Sequence, residues 1–117
     1  MSIFKFFRSI RYACKGIKYG LEEQNFRIQV LAALIVIFFM FYFRVKPWET
    51  VALVLVIVSV LVLELLNTIF EHLSDILKPR LHHYINIIKD LMAAAVLLAS
   101  LGAIVVGLII FWPYLKS

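Results

Sequence analysis

At 117 residues the chain has room for one domain and not for two. A composition that is 64% hydrophobic, with a mean hydropathy of +0.99, excludes an ordinary soluble domain and points to an integral membrane protein. The net charge of +5 lies beside apolar segments, which excludes nucleic acid and fits anionic lipid headgroups, while the single Cys14 excludes an internal disulfide and a cysteine-built metal site.

Residues 2–21 predict an amphipathic helix lying in the membrane interface. Lys5, Arg8, Arg11, Lys15 and Lys18 gather on one side and Ile3, Phe7, Ile10, Cys14, Ile17 and Leu21 on the other. The basic residues interrupt any signal-peptide core, and no small-residue cleavage site follows, so the helix reads as a retained part of the fold. A polar joint, Glu22-Glu23-Gln24-Asn25-Phe26-Arg27, precedes a first span over 28–43. A turn from Arg44 to Glu49 leads to a second helix over 51–77, which Lys78-Pro79 should end. A basic loop, Arg80-Leu81-His82-His83-Tyr84, then connects to a third membrane helix over 85–111. The expected fold is all-α: one interfacial helix and three spans in a single domain, 1–117.

The second helix carries the chemistry. At about 100° per residue, Glu64, Thr68, Glu71 and Asp75 share one stripe, with Asn67 at its edge. Glu64 lies about 20 Å along the axis from Val51, inside an apolar slab about 30 Å thick, whereas Glu71 and Asp75 reach water. A charged residue at the centre of a membrane helix costs roughly 2.5–3.5 kcal/mol, so such a stripe should face a cavity, a partner or a metal. Snorkelling or helix–helix hydrogen bonding explains one such residue, Asp75 for example, but not the whole stripe. On the third helix Ala95, Ala99, Ala103 and Gly107 recur every four residues, a surface for close helix packing within a bundle or between subunits.

Lys and Arg are concentrated on the side of the N-terminal helix and the second loop, leaving only Arg44, Lys46 and Lys116 opposite. The positive-inside rule makes the basic side cytoplasmic, where Glu22-Glu23, the acidic helix end and Lys89-Asp90 would meet nucleotide. No Walker A loop, kinase Gly-rich loop or nucleophile elbow occurs. Carboxylates at a cytoplasmic surface suit Mg²⁺ with substrate phosphates, Lys89 can hold a phosphate, and the recessed Glu64 can accept a hydroxyl proton. Together these are the parts that phosphoryl transfer requires. His82 and His83 are adjacent and His72 lies off the stripe, which argues against a dedicated zinc site.

The run Glu64-x-x-Asn67-Thr68-x-x-Glu71-x-x-x-Asp75, then Lys89-Asp90 and an alanine-rich helix, resembles the prokaryotic diacylglycerol kinase and undecaprenol kinase family. Asn25-Phe26-Arg27-Ile28, preceded by Glu23, is similar to the same family, as is the order of interfacial helix and spans. The resemblance implies a homotrimer in the bacterial cytoplasmic membrane, with composite active sites that transfer the γ-phosphate of MgATP to a lipid hydroxyl. It implies Glu64 as general base and Glu23 with Glu71 as Mg²⁺ ligands. Tyr12, Asn67, Asp75, Arg80, His82, Lys89 and Asp90 would form the nucleotide region. The chain departs from the pattern at Ile69-Phe70, which is bulkier than usual, and at Gln29, where relatives often have His. The segment from Gly16 to Glu23 is one residue short, which leaves Glu22 as an alternative to Glu23. Undecaprenol and diacylglycerol both offer a primary hydroxyl, and the Asn-Phe-Arg-Ile run leans towards undecaprenol. The competing class is a non-enzyme, a small multidrug-type transporter or membrane scaffold, which needs neither Glu71 nor Lys89-Asp90.

Overall fold

A computed structural model describes residues 2–116, all organised by helices: α1 (Ile3–Gly20), α2 (Gln24–Phe43) and α3 (Pro47–Lys116). The Ser2 hydroxyl caps α1 by accepting from the Lys5 N–H at 3.2 Å. Its C-terminus is closed from the other side, because Arg27 on α2 donates to the carbonyls of Leu21 and Glu22 at 3.0 and 3.1 Å. This cation on the last orphan carbonyls holds α1 and α2 at a fixed joint. Gly20 is buried there. A Cβ on it would lie 2.7 Å from Leu65 Cδ2, so a glycine lets the joint come down onto the residue next to Glu64.

Two differences from the expected boundaries have clear physical reasons. Gln24 to Arg27 form the first turn of α2 rather than a linker, because nothing in that polar run opposes a helix once Arg27 anchors it. The expected loop over 80–84 is also absent: α3 is helical on both sides of Leu81, whose φ/ψ of −122/35 is the one non-helical pair inside it. Pro79 cannot donate to the Asp75 carbonyl, which weakens that turn, yet the chain stays helical through Arg80 before it breaks. A straight helix of 70 residues would be about 105 Å long, while the longest dimension of the molecule is 57 Å. The helix therefore doubles back at Leu81 into two limbs, 47–80 and 82–116. Pro113 is carried within the last turns, so the second limb extends past Phe111 to Lys116.

The two limbs and α2 meet at the end away from the α1–α2 joint. Met40, Leu53 and Ile110 are buried together there, with Val36, Ile37 and Phe111 packed against them. Arg44 turns the chain in the left-handed region at φ 51, and Pro47 opens α3. Glu49, buried at 6% exposure, accepts from the Lys46 N–H at 2.8 Å and from the Tyr114 hydroxyl. That second bond ties the first turn of α3 to its last. The Tyr114 hydroxyl holds the Glu49 carboxyl below its ordinary range against the opposing effect of burial, with Lys46 also lowering it. The same bond pushes the Tyr114 phenol up.

A carboxylate with a lowered folded pKa adds stability above its unfolded pKa and loses it as pH falls through the folded value. Tyr114→Phe should therefore lower the melting temperature in detergent at neutral pH. The gap to the parent should shrink as pH falls below about 4, where Glu carboxylates protonate. A pH-independent gap in a thermal-unfolding series would contradict this reading of the pair.

Most of the remaining apolar surface is exposed, including Leu31, Phe38, Phe41, Leu55, Leu98 and Leu108. Two helices, Gln24–Phe43 and Pro47–Lys116, are long and apolar enough to cross a membrane. The all-helical architecture is compatible with a membrane protein. On α1 the apolar residues Ile3, Phe7, Ile10 and Ile17 are all exposed.

Candidate functional site

At the α1–α2 joint the two limbs of α3 and the start of α2 enclose a cleft of about 390 Å³. Glu64, Asn67 and Glu71 reach it from the first limb, Asn25 from α2, and Lys89 and Ser100 from the second limb. The spacing explains the grouping: positions 64, 67 and 71 fall on one helix face, and the doubling back at Leu81 brings Lys89 opposite them.

Glu64 is 5% exposed, a carboxylate withdrawn from solvent at the inner part of the cleft. The charges of Glu71 and Glu23 both reach it, so three carboxylates share one electrostatic neighbourhood. The Asn67 amide donates to Glu71 Oε1 at 3.1 Å, which fixes Glu71 one turn beyond Asn67. Thr68, counted in the acidic stripe by periodicity, instead donates its hydroxyl back to the Glu64 carbonyl at 3.1 Å. Of the two candidates at the joint, Glu23 is half-buried and opens α2, whereas Glu22 is exposed.

The other candidates lie apart from the cleft wall. Tyr12 is exposed on α1, and Asp75, Arg80, His82 and Asp90 are exposed on α3 without lining the cleft. His82 Nε2 pairs with the Asn86 amide at 3.4 Å. Asp90 follows Lys89 by one residue and so points about 100° away from it. The composite site that the resemblance implies leaves open which protomer supplies Lys89, and Lys89 faces the same cleft as Glu64 within one chain. Asn25 was read in the sequence as part of the Asn-Phe-Arg-Ile motif but given no place in the site, and Ser100 was not singled out. The signal for Asn25 was its four-residue step to Gln29, legible only once the polar joint is read as a helix. Among the described residues no group of three or more His, Cys, Asp or Glu is placed to hold a metal by itself.

Beyond Glu64 the cleft adjoins an apolar groove of about 610 Å³, with Ser100 lining both. Ala103 and Gly107, two members of the small-residue stripe, face this groove.

The family model described as "Prokaryotic diacylglycerol kinase" matches residues 11–111. The chain is 36% identical to a diacylglycerol kinase of Synechocystis sp., over 93% of this chain and 63% of that relative. It therefore spans a little under two thirds of that relative's length. It is 33% identical to the undecaprenol kinase of Bacillus subtilis, over 95% of this chain and 91% of the relative. With the Escherichia coli diacylglycerol kinase it shares 27% identity, over 88% and 85% of the two chains. No solved structure matches.

Proposed function

The chain belongs to the prokaryotic diacylglycerol kinase family, and from that premise we propose that it is a lipid kinase transferring the γ-phosphate of MgATP to the hydroxyl of a membrane lipid. The observation that carries the proposal is one cleft in which a solvent-withdrawn Glu64 faces Lys89, with Asn67 and Glu71 between solvent and Glu64. In this reading the lipid hydroxyl loses its proton to Glu64 as its oxygen attacks the γ-phosphorus. The bond from that phosphorus to the bridging oxygen breaks, and ADP departs. Lys89 carries the charge of the transferred phosphoryl group, and Asn67 orients Glu71. Glu71 and Glu23 fit Mg²⁺, a hard cation that takes one or two protein carboxylates with substrate phosphates and that would neutralise phosphate charge there. Tyr12, Asp75, Arg80, His82 and Asp90 remain candidates for the outer nucleotide region by resemblance. The acceptor is a primary alcohol at the interface, undecaprenol in preference to diacylglycerol. The cleft faces the cytoplasm of a bacterial cell by the Lys and Arg asymmetry, and the chain assembles as a homotrimer.

Labelled ATP given to purified protein in vesicles should put label into an added prenol or diacylglycerol. A transporter or scaffold of the competing class would put none there. Within the kinase reading, Glu71→Gln and Glu23→Gln should each raise the Mg²⁺ concentration needed for half-maximal rate, because each removes an anionic oxygen from a hard-cation site. A larger effect from Glu22→Gln would transfer the role to Glu22, and unchanged metal dependence in all three would remove carboxylates from the metal site.

A further inference from the structure

The polar cleft ends abruptly, one helical turn below Glu64. On α2 and on the first limb of α3 a step of three or four residues leads from cleft to groove, Asn25 to Gln29 and Glu64 to Leu61, and on the second limb Ser100 lines both. Such a step is about 5 Å along each axis. Below it the walls are hydrocarbon, from Val36 and Ile57 to Phe111 and Leu115. At the step stand two polar side chains, Gln29 and Ser100, both half-buried. Neither makes a side-chain hydrogen bond to another described residue. No buried side-chain nitrogen or oxygen among the described residues lacks a partner, so both groups stay open to the groove, where lipid supplies no water. Glu64, Asn67 and Lys89 have the reaction to serve, but Gln29 and Ser100 lie too deep to touch nucleotide phosphates held near Lys89.

We propose that Gln29 and Ser100 form an acceptor-reading collar, which hydrogen-bonds an ester group lying next to the hydroxyl of a glycerolipid and has nothing to bind in a prenol. The inference rests on the lipid-kinase reading of the same cleft. With the acceptor hydroxyl at Glu64, the atoms about 5 Å further along the lipid lie at the collar. In a diacylglycerol these include an ester carbonyl, an acceptor for the Gln29 amide and the Ser100 hydroxyl. In a prenol they are an alkene and a methyl group, which leave both side chains unsatisfied. The collar therefore adds to the glycerolipid side against the preference for undecaprenol, and the apolar groove beneath takes either hydrocarbon chain. Selectivity in this protein is a ratio that the ester-reading collar holds closer to diacylglycerol than the groove alone would.

The test measures kcat/KM for a diacylglycerol and a short prenol in the same vesicles, for the parent, Gln29→Leu and Ser100→Ala. A lost hydrogen bond in a desolvated site changes discrimination by about tenfold. Gln29→Leu should shift the ratio about tenfold towards prenol through the diacylglycerol KM, and Ser100→Ala should shift it in the same direction by less. An equal fall on both acceptors, or an unchanged ratio, overturns the collar. Crosslinking by a photoreactive diacylglycerol, competed by unlabelled prenol, reads the same preference without turnover. If the parent transfers no phosphate, the kinase reading fails. Selective labelling that Gln29→Leu abolishes would still sustain the collar, and labelling indifferent to Gln29→Leu would remove it.

Discussion

Glu64→Gln should fold, retain MgATP binding and lose about 10²–10⁴-fold in turnover, the range expected when a general base is removed. The glutamine keeps the volume and one acceptor oxygen, so the packing of a residue only 5% exposed is preserved. What disappears is the capacity to take a proton where a lipid hydroxyl can reach. No other carboxylate can substitute, because Glu71 is exposed and lies two turns nearer solvent. The loss should be in kcat, with the KM for MgATP little changed, since Glu64 lies on the acceptor side of the cleft. Near-parental rates from a folded Glu64→Gln protein would take the base role away from it.

Lys89→Ala should cost about 10²–10³-fold, the usual consequence of removing one group aimed at charge developing in the transition state. Lys89 is half-buried in the wall opposite Glu64 and Asn67, so its ammonium is partly shielded from water and acts at short range on a transferring phosphoryl group. Lys89→Arg keeps the charge in a planar fork of different shape and should recover only part of the rate. The loss in Lys89→Ala should include a weaker apparent affinity for MgATP, which separates it from Glu64→Gln. An alanine variant with parental MgATP affinity and rate would show that the lysine only solvates the cleft mouth.

The acidic side of the site was legible in the sequence because helical periodicity is arithmetic: 64, 67 and 71 must share a face whatever surrounds them. What periodicity does not state is which face meets which. Lys89 could be recognised as a phosphate-binding lysine but not placed, since a composite site can draw it from either protomer. Doubling back at Leu81 supplies the missing wall from the same chain. Pro79 marked the right region but not the residue, since a proline weakens a turn without dictating where the backbone leaves the helix. The places of Asn25 and Gln29 in the cleft and groove were hidden for a related reason: polar residues at the head of a helix look the same as a linker until Arg27 is seen holding the α1 terminus. The Glu49–Tyr114 bond joins residues 65 apart and left no local signature.

The proposal that one chain builds a whole phosphoryl-transfer site is tested most directly by mixing Glu64→Gln and Lys89→Ala protomers, refolding or co-expressing them, and measuring phosphate transfer by the purified mixture. If Glu64 and Lys89 serve the same cleft of one chain, every site carries one lesion and the mixture shows no more activity than its two parents. If each site draws the two residues from different protomers, some mixed sites are intact, and activity well above both parents would contradict the single-chain cleft.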